Sequence, residues 1–234
     1  MNDDYLAQNG PDEDRLTVDI ECLDQDNLLA TLISTTGNHC EVWRTSHRSA
    51  ADNKSQTYLD FVIKWPLGEN SMQEIRLLAR QYRLLRDELE DIIPEALFVI
   101  TRINGKPNVC VFATAVNVWF NMANPQNEEE AIELLRNHSK ARSQLARFLN
   151  AARNWRNTDN PRIIDLYGLD NLIMDNNREI RYLDSFYVFF HEDMLHILDE
   201  PDPQLAEKIV RSAKRLDYLE HIHQAAQSAA NQPR

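Results

Sequence analysis

Lys64 closes an otherwise apolar run, Phe61-Val62-Ile63-Lys64. About eight residues later a helical pattern begins that carries Glu74 near its start, so that a carboxylate can pair with the ammonium and hold it toward an anionic group. Gln81, one helical face further on, is the weaker alternative partner. In the second half of the chain Asp165 is followed by Asn171, and a turn then brings in Asp184. An Asp, an Asn and a second Asp returned by a hairpin can set three oxygen ligands around one point. Hard cations such as Mg²⁺ prefer oxygen donors, and a carboxylate beside them can orient or deprotonate a hydroxyl. Plainer readings stand beside these: a lysine at the edge of a sheet lays its stem over apolar neighbours, and Asp165, Asp170 and Asn171 are residues that form turns and helix caps.

These side chains need elements to hold them. The stretches Leu28–Ile33 and Leu59–Lys64 are rich in β-formers, while Ser46–Thr57 is polar and turn-like, so three strands are expected with a long loop before the third. Met72, Ile75, Leu78, Tyr82, Leu85 and Leu89 recur at helical spacing, which predicts an amphipathic helix ending before Pro94. Leu97–Ile100 and Val109–Ala113 flank Asn104-Gly105-Lys106-Pro107, a hairpin signal. The first half therefore reads β-β-β-α-β-β. Between Asn127 and Trp155 the apolar positions mark one long helix, stopped by Asn157–Pro161. Leu172–Met174 and Ile180–Leu183 surround the turn Asp175-Asn176-Asn177, and a last helix is expected from about Pro203. The fold class is α+β, and a chain of 234 residues fits one unit of two small lobes.

Composition narrows the function classes. A formal charge of −12 repels phosphate backbones, which argues against a nucleic-acid partner but not against a nucleotide whose charge is neutralised locally. The apolar runs are far shorter than the roughly 20 residues of a membrane span, and the acidic start lacks the features of a secretory signal, so a cytoplasmic protein is expected. Cys22, Cys40 and Cys110 form no CxxC pair and suggest neither a disulfide framework nor a zinc site. His191 and His196 are five apart and would diverge on a helix, unlike the ligands of H-E-x-x-H. The motifs G-x-S-x-G, G-x-x-x-x-G-K and G-x-G-x-x-G are missing, which removes the commonest hydrolase, P-loop and dinucleotide readings.

Between residues 28 and 190 the chain resembles the protein-kinase-like fold. Leu32–Arg44 looks like a degenerate nucleotide-binding hairpin, with Gly37 at the turn and Val42 as an apolar lid over a base. Phe61–Lys64 resembles the V-A-I-K strand and Asp165–Asn171 the catalytic loop, with Ile163 and Ile164 standing where the family has histidine and arginine. Asn171 follows Asp165 by six residues rather than five, so the loop needs a one-residue bulge, and Leu183-Asp184-Ser185-Phe186 sits where the family has D-F-G. The compact length after Asp184 is closer to small bacterial kinases, such as lipopolysaccharide-core kinases and aminoglycoside phosphotransferases, than to eukaryotic-type enzymes. Residues 1–16, polar, acidic and carrying Gly10-Pro11, are expected to form a flexible tail, and the resemblance implies a bilobal protein with an N-lobe of five antiparallel strands and one helix at 17–117 and a reduced, mainly helical C-lobe at 118–234. It also implies ATP and Mg²⁺ as cofactors, with Lys64 on the nucleotide phosphates, Glu74 paired to Lys64, Asp165 as base, and Asn171 with Asp184 holding the metal. The implied activity is phosphoryl transfer to a hydroxyl of a protein or small-molecule acceptor. The competing reading is a pseudokinase, a binding or regulatory module without catalysis.

Overall fold

The structure is a computed structural model and describes residues 29–34, 40–46, 60–103, 105–197 and 203–230. The tail at 1–16 and Gly37 lie outside the described residues. The chain divides into two compact units, one containing Lys64 and made by residues up to Ala79 with Glu95–Ala115, the other by Arg80–Pro94 with the chain from Val116 onward.

In the first unit alternating β-formers build strands β1 (Leu29–Ser34), β2 (Cys40–Ser46) and β3 (Phe61–Pro66). Helix α1 (Met72–Leu89) follows, then β4 (Ala96–Ile103) and β5 (Lys106–Thr114). The five strands form one antiparallel sheet in the order β1-β2-β3-β5-β4. The hairpin between β4 and β5 turns at Gly105, whose φ of 79° is the left-handed conformation that glycine adopts without steric cost. Cross-strand register places Val42, Lys64, Val111 and Phe98 in one row. Val111 and Phe98 are buried in that row, whereas Leu32 and Leu97, in the row of opposite facing, are exposed. Helix α1 begins with a capping box: Glu74 N–H donates to Ser71 Oγ (3.2 Å) and Ser71 N–H donates to the Glu74 carboxylate (2.7 Å).

The second unit opens with the C-terminal half of α1 and a 3-10 turn at Glu90–Ile92. Asp91 in that turn is held from several sides: its carboxylate accepts from Gln144 Nε2 (2.8 Å) and Arg147 (3.1 Å), and its carbonyl accepts from Arg181. Strand β6 (Val118–Asn121) precedes α2 (Glu128–Asn137) and α3 (Ser139–Arg156). The single helix expected over 127–155 is thus two. His138 breaks it with an extended backbone (φ −120°, ψ 92°), in a run of three weak helix formers, Asn137, His138 and Ser139. The Arg142 guanidinium then donates to the freed carbonyls of Leu135 (3.0 Å) and Arg136 (3.1 Å), which makes the break tolerable.

After α3 come β7 (Ile163–Ile164), β8 (Leu172–Asp175), β9 (Ile180–Tyr182), β10 (Phe189–Phe190), the one-turn α4 (Met194–Ile197) and the long α5 (Pro203–Ala230). Strands β6, β8 and β9 form one small antiparallel sheet, and β7 pairs with β10. Leu135, Leu145, Phe148 and Trp155 from α2 and α3 and Leu216, Leu219 and Ile222 from α5 are fully or nearly fully buried. Helix α5 packs on both α2 and α3 and on β7. Among the described residues no helix is long and apolar enough to cross a membrane.

Candidate functional site

The loop leaving β7 is built around Asp165. Ile163 and Ile164 anchor its start, pairing with Phe190 and Phe189, and Ile163 packs into an apolar cluster with Phe190 and Ile209. Asp165 N–H donates to Val188 O (2.8 Å), and the carboxylate Oδ1 accepts from Tyr167 N–H (2.7 Å), a local bond of the kind Asp forms at turns. The chain then bends at Gly168 and closes on itself through Asn171 N–H to Gly168 O (3.4 Å). The Asn171 amide Nδ2 reaches back across that bend to donate to Asp165 O at 3.1 Å. A Cβ at position 168 would lie 2.5 Å from Asn171 Oδ1 and 3.0 Å from Asp170 Oδ1, so only glycine leaves room for the folded-back amide.

Asp184 arrives from β9. Leu183 N–H donates to Asn171 O (2.8 Å), which ties the end of that strand to the end of the loop. Two residues before Asp184, the buried Tyr182 hydroxyl donates to Asp165 O (3.0 Å). The Asp184 carboxylate Oδ1 accepts from Ser185 N–H (2.7 Å) and Phe186 N–H (3.3 Å). Each of the three side chains is therefore anchored through one atom. Asp165 Oδ2, Asn171 Oδ1 and Asp184 Oδ2 accept no hydrogen bond from a described residue.

The electrostatics follow from this crowding. Asp165 is only 8% exposed. Burial first, and the Asp184 carboxylate second, raise its pKa from 3.8 to about 7, against the restraining effects of Tyr167 N–H, Lys208 and Arg215. The Tyr182 phenol is pushed well up by burial and by the same two carboxylates, so it stays a neutral donor. Lys208 and Arg215 both come from α5, and the Asp165–Asn171 segment itself contains no lysine or arginine.

Among the described residues no group of three or more His, Cys, Asp or Glu is placed to hold a metal on its own. Two carboxylates and an amide oxygen nevertheless fit Mg²⁺, which characteristically takes one or two carboxylates and completes its shell with water and substrate phosphates. The residues that would hold it are Asp184 and Asn171, with Asp165 beside them.

In the first unit Lys64 lies in the central strand β3, buried between Val42 and Val111 in register, so it is not the edge lysine that its sequence context alone also allowed. Val42 and Lys64 are direct cross-strand partners. Glu74 is not brought to Lys64. Its exposed carboxylate closes the capping box with Ser71, whose hydrogen bonds hold it below the usual carboxylate range, and among the described residues no ion pair joins the two. Gly37, the expected turn of the nucleotide hairpin, falls outside the described residues.

No protein-family model matches the chain, and no curated protein matches it either. Sequence reasoning missed Gly168, Tyr182, Ser212 and Arg215 as parts of this site. Gly168 left a signal, since it is one of only five glycines and falls inside the Asp165–Asn171 segment. Ser212 and Arg215 left none, lying 46 and more residues along the chain in an unremarkable helical pattern.

Proposed function

We propose that this chain is an ATP- and Mg²⁺-dependent phosphotransferase of protein-kinase-like fold, a small atypical kinase that transfers a phosphoryl group to a hydroxyl of a protein or small-molecule acceptor. The observation that carries the reading is the way Asp165, Asn171 and Asp184 are each fixed through one atom and, among the described residues, left with one oxygen that accepts no hydrogen bond. In this reading Asp165 accepts the acceptor's hydroxyl proton, a task for which a carboxyl with a pKa of about 7 is well matched to neutral pH. Asn171 Oδ1 and Asp184 Oδ2 hold the cation, which when bound offsets the charge on the phosphate oxygens. Lys64, kept on the sheet face that carries Val42, contacts the nucleotide phosphates and Val42 covers the base. The acceptor hydroxyl is oriented by Asp165 rather than activated far in advance, as suits a transfer governed by positioning and electrostatics.

One observation favours the second reading, a pseudokinase that keeps the fold but not the catalysis: Glu74 is engaged in the helix cap rather than with Lys64. Incubation with γ-labelled ATP and Mg²⁺, following release or self-labelling, separates the two. The phosphotransferase reading expects turnover that Asp165→Asn lowers by about 10²-fold or more while nucleotide affinity is kept. Wild-type protein that binds Mg·ATP and transfers nothing is the pseudokinase.

A further inference from the structure

The residues directly after Asp165 are not held by their own strand. Leu166 N–H donates to Ser212 Oγ at 3.1 Å, and the Arg215 guanidinium donates to both Leu166 O and Tyr167 O. Ser212 and Arg215 lie three residues apart on α5, so they project from one helical face. Ser212 is completely buried. Arg211, on the neighbouring turn, sets its guanidinium 4.9 Å from the centre of the Tyr167 ring and is itself paired with Glu207. Of the four backbone polar groups of Leu166 and Tyr167, three thus end on one helix while the Tyr167 N–H turns back to the Asp165 carboxylate, and a side chain of the same segment lies against that helix.

Position matters here because of what precedes Asp165. Ile163 and Ile164 offer only a two-residue strand and apolar packing, with no polar side chain to fix the loop that follows. We infer that Ser212 and Arg215 are positioning residues, which clamp the backbone at Leu166 and Tyr167 and thereby set the direction of the Asp165 carboxylate. The last helix is then a working part of the site and not only packing for α2 and α3. Arg215 can satisfy two carbonyls at once because its guanidinium is a planar fork with several donors; a lysine offers a single point charge and can satisfy them only in part.

This inference rests on the phosphotransferase reading, and the experiment is arranged so that the two fail differently. Wild type, Arg215→Gln, Arg215→Lys and Ser212→Ala are compared for melting temperature without ligand, Mg·ATP affinity by calorimetry, and Mg²⁺-dependent release of γ-phosphate. The clamp predicts that Arg215→Gln keeps Mg·ATP affinity within about threefold and loses roughly 10²-fold in turnover, the scale expected of a displaced catalytic group. Arg215→Lys should recover part of that loss, and Ser212→Ala, which removes one small group, should lose turnover without losing the fold. Affinity and turnover falling together, or turnover unchanged in Arg215→Gln and Ser212→Ala, overturns the clamp. A wild-type protein that neither binds nor turns over Mg·ATP overturns the phosphotransferase reading, and the clamp with it.

Discussion

Asp165 carries a cost that its surroundings do not remove. Its carboxyl ionises near 3.8 when unfolded but at about 7 in the folded chain, chiefly because it is buried and secondarily because Asp184 is close. The folded state therefore binds the proton more tightly over that window, and linkage makes stability fall as pH rises from about 4 to 7 and stay low above it. Without nucleotide and metal, Asp165→Asn should raise stability at pH 8 by on the order of 3 kcal/mol and leave it nearly unchanged at pH 4, as denaturant unfolding at the two pH values will show. Equal effects at both would mean that the charge is not the source of the penalty. Gly168 gives a second residue-scale prediction. Gly168→Ala sets a methyl 2.5 Å from Asn171 Oδ1, which is crowding of the kind that costs about 1 to 3 kcal/mol, and melting of the variant measures it. The amide must move, so Mg·ATP affinity should fall in the same variant. At this scale residue type singled out Asp165, Asn171 and Asp184, and the fold makes them neighbours: the Asn171 amide bonds Asp165 O, and the Asp184 carboxylate lies close enough to raise the Asp165 pKa. The sequence was silent about Ser212 and Arg215, because hydrogen bonds from one helix to a distant backbone leave no periodicity or spacing to read.

Elements were legible to the extent that their burial is periodic. The strands around Lys64 and the helix from Met72 follow alternating and helical patterns and form where expected. The break at His138 did not show in the pattern, since apolar positions on α2 and α3 continue with nearly the same spacing through a residue whose backbone is extended. What fixes α3 in place is more specific than its apolar face. Gln144, only 3% exposed, accepts from Ile180 N–H (2.9 Å) and donates to the Asp91 carboxylate (2.8 Å), linking β9 to the turn after α1. Gln144→Leu would fill similar volume but leave a buried backbone N–H without its acceptor. An orphaned group of that kind costs about 1 to 3 kcal/mol, so a loss in that range is expected in denaturant unfolding. A neutral effect would mean that water or a shifted side chain takes over the Ile180 N–H.

For the whole molecule, the order of the five strands follows from hairpin connections and from β3 pairing with β5, and that much is readable once the strands are found. Which groups of the second unit meet at Asp165 is decided by the path of α5, a tertiary fact with no local signature. The net charge is −12, and the cations near Asp165, Lys208 and Arg215, are brought in from α5. The central claim is that Asp184 holds a metal bound with ATP, and ligand-linked melting tests it without knowledge of the acceptor. Mg·ATP at about 100 times its Kd should stabilise the folded state by roughly 2.7 kcal/mol, which for a chain of this size raises the melting temperature by about 5 to 10 °C. Asp184→Ala should remove the Mg²⁺-dependent part of that rise, measured against the variant's own unliganded melting temperature, because the carboxylate also accepts the Ser185 and Phe186 N–H groups. A wild-type melting temperature that ignores saturating Mg·ATP, or a rise that persists in Asp184→Ala and needs no Mg²⁺, would contradict the account.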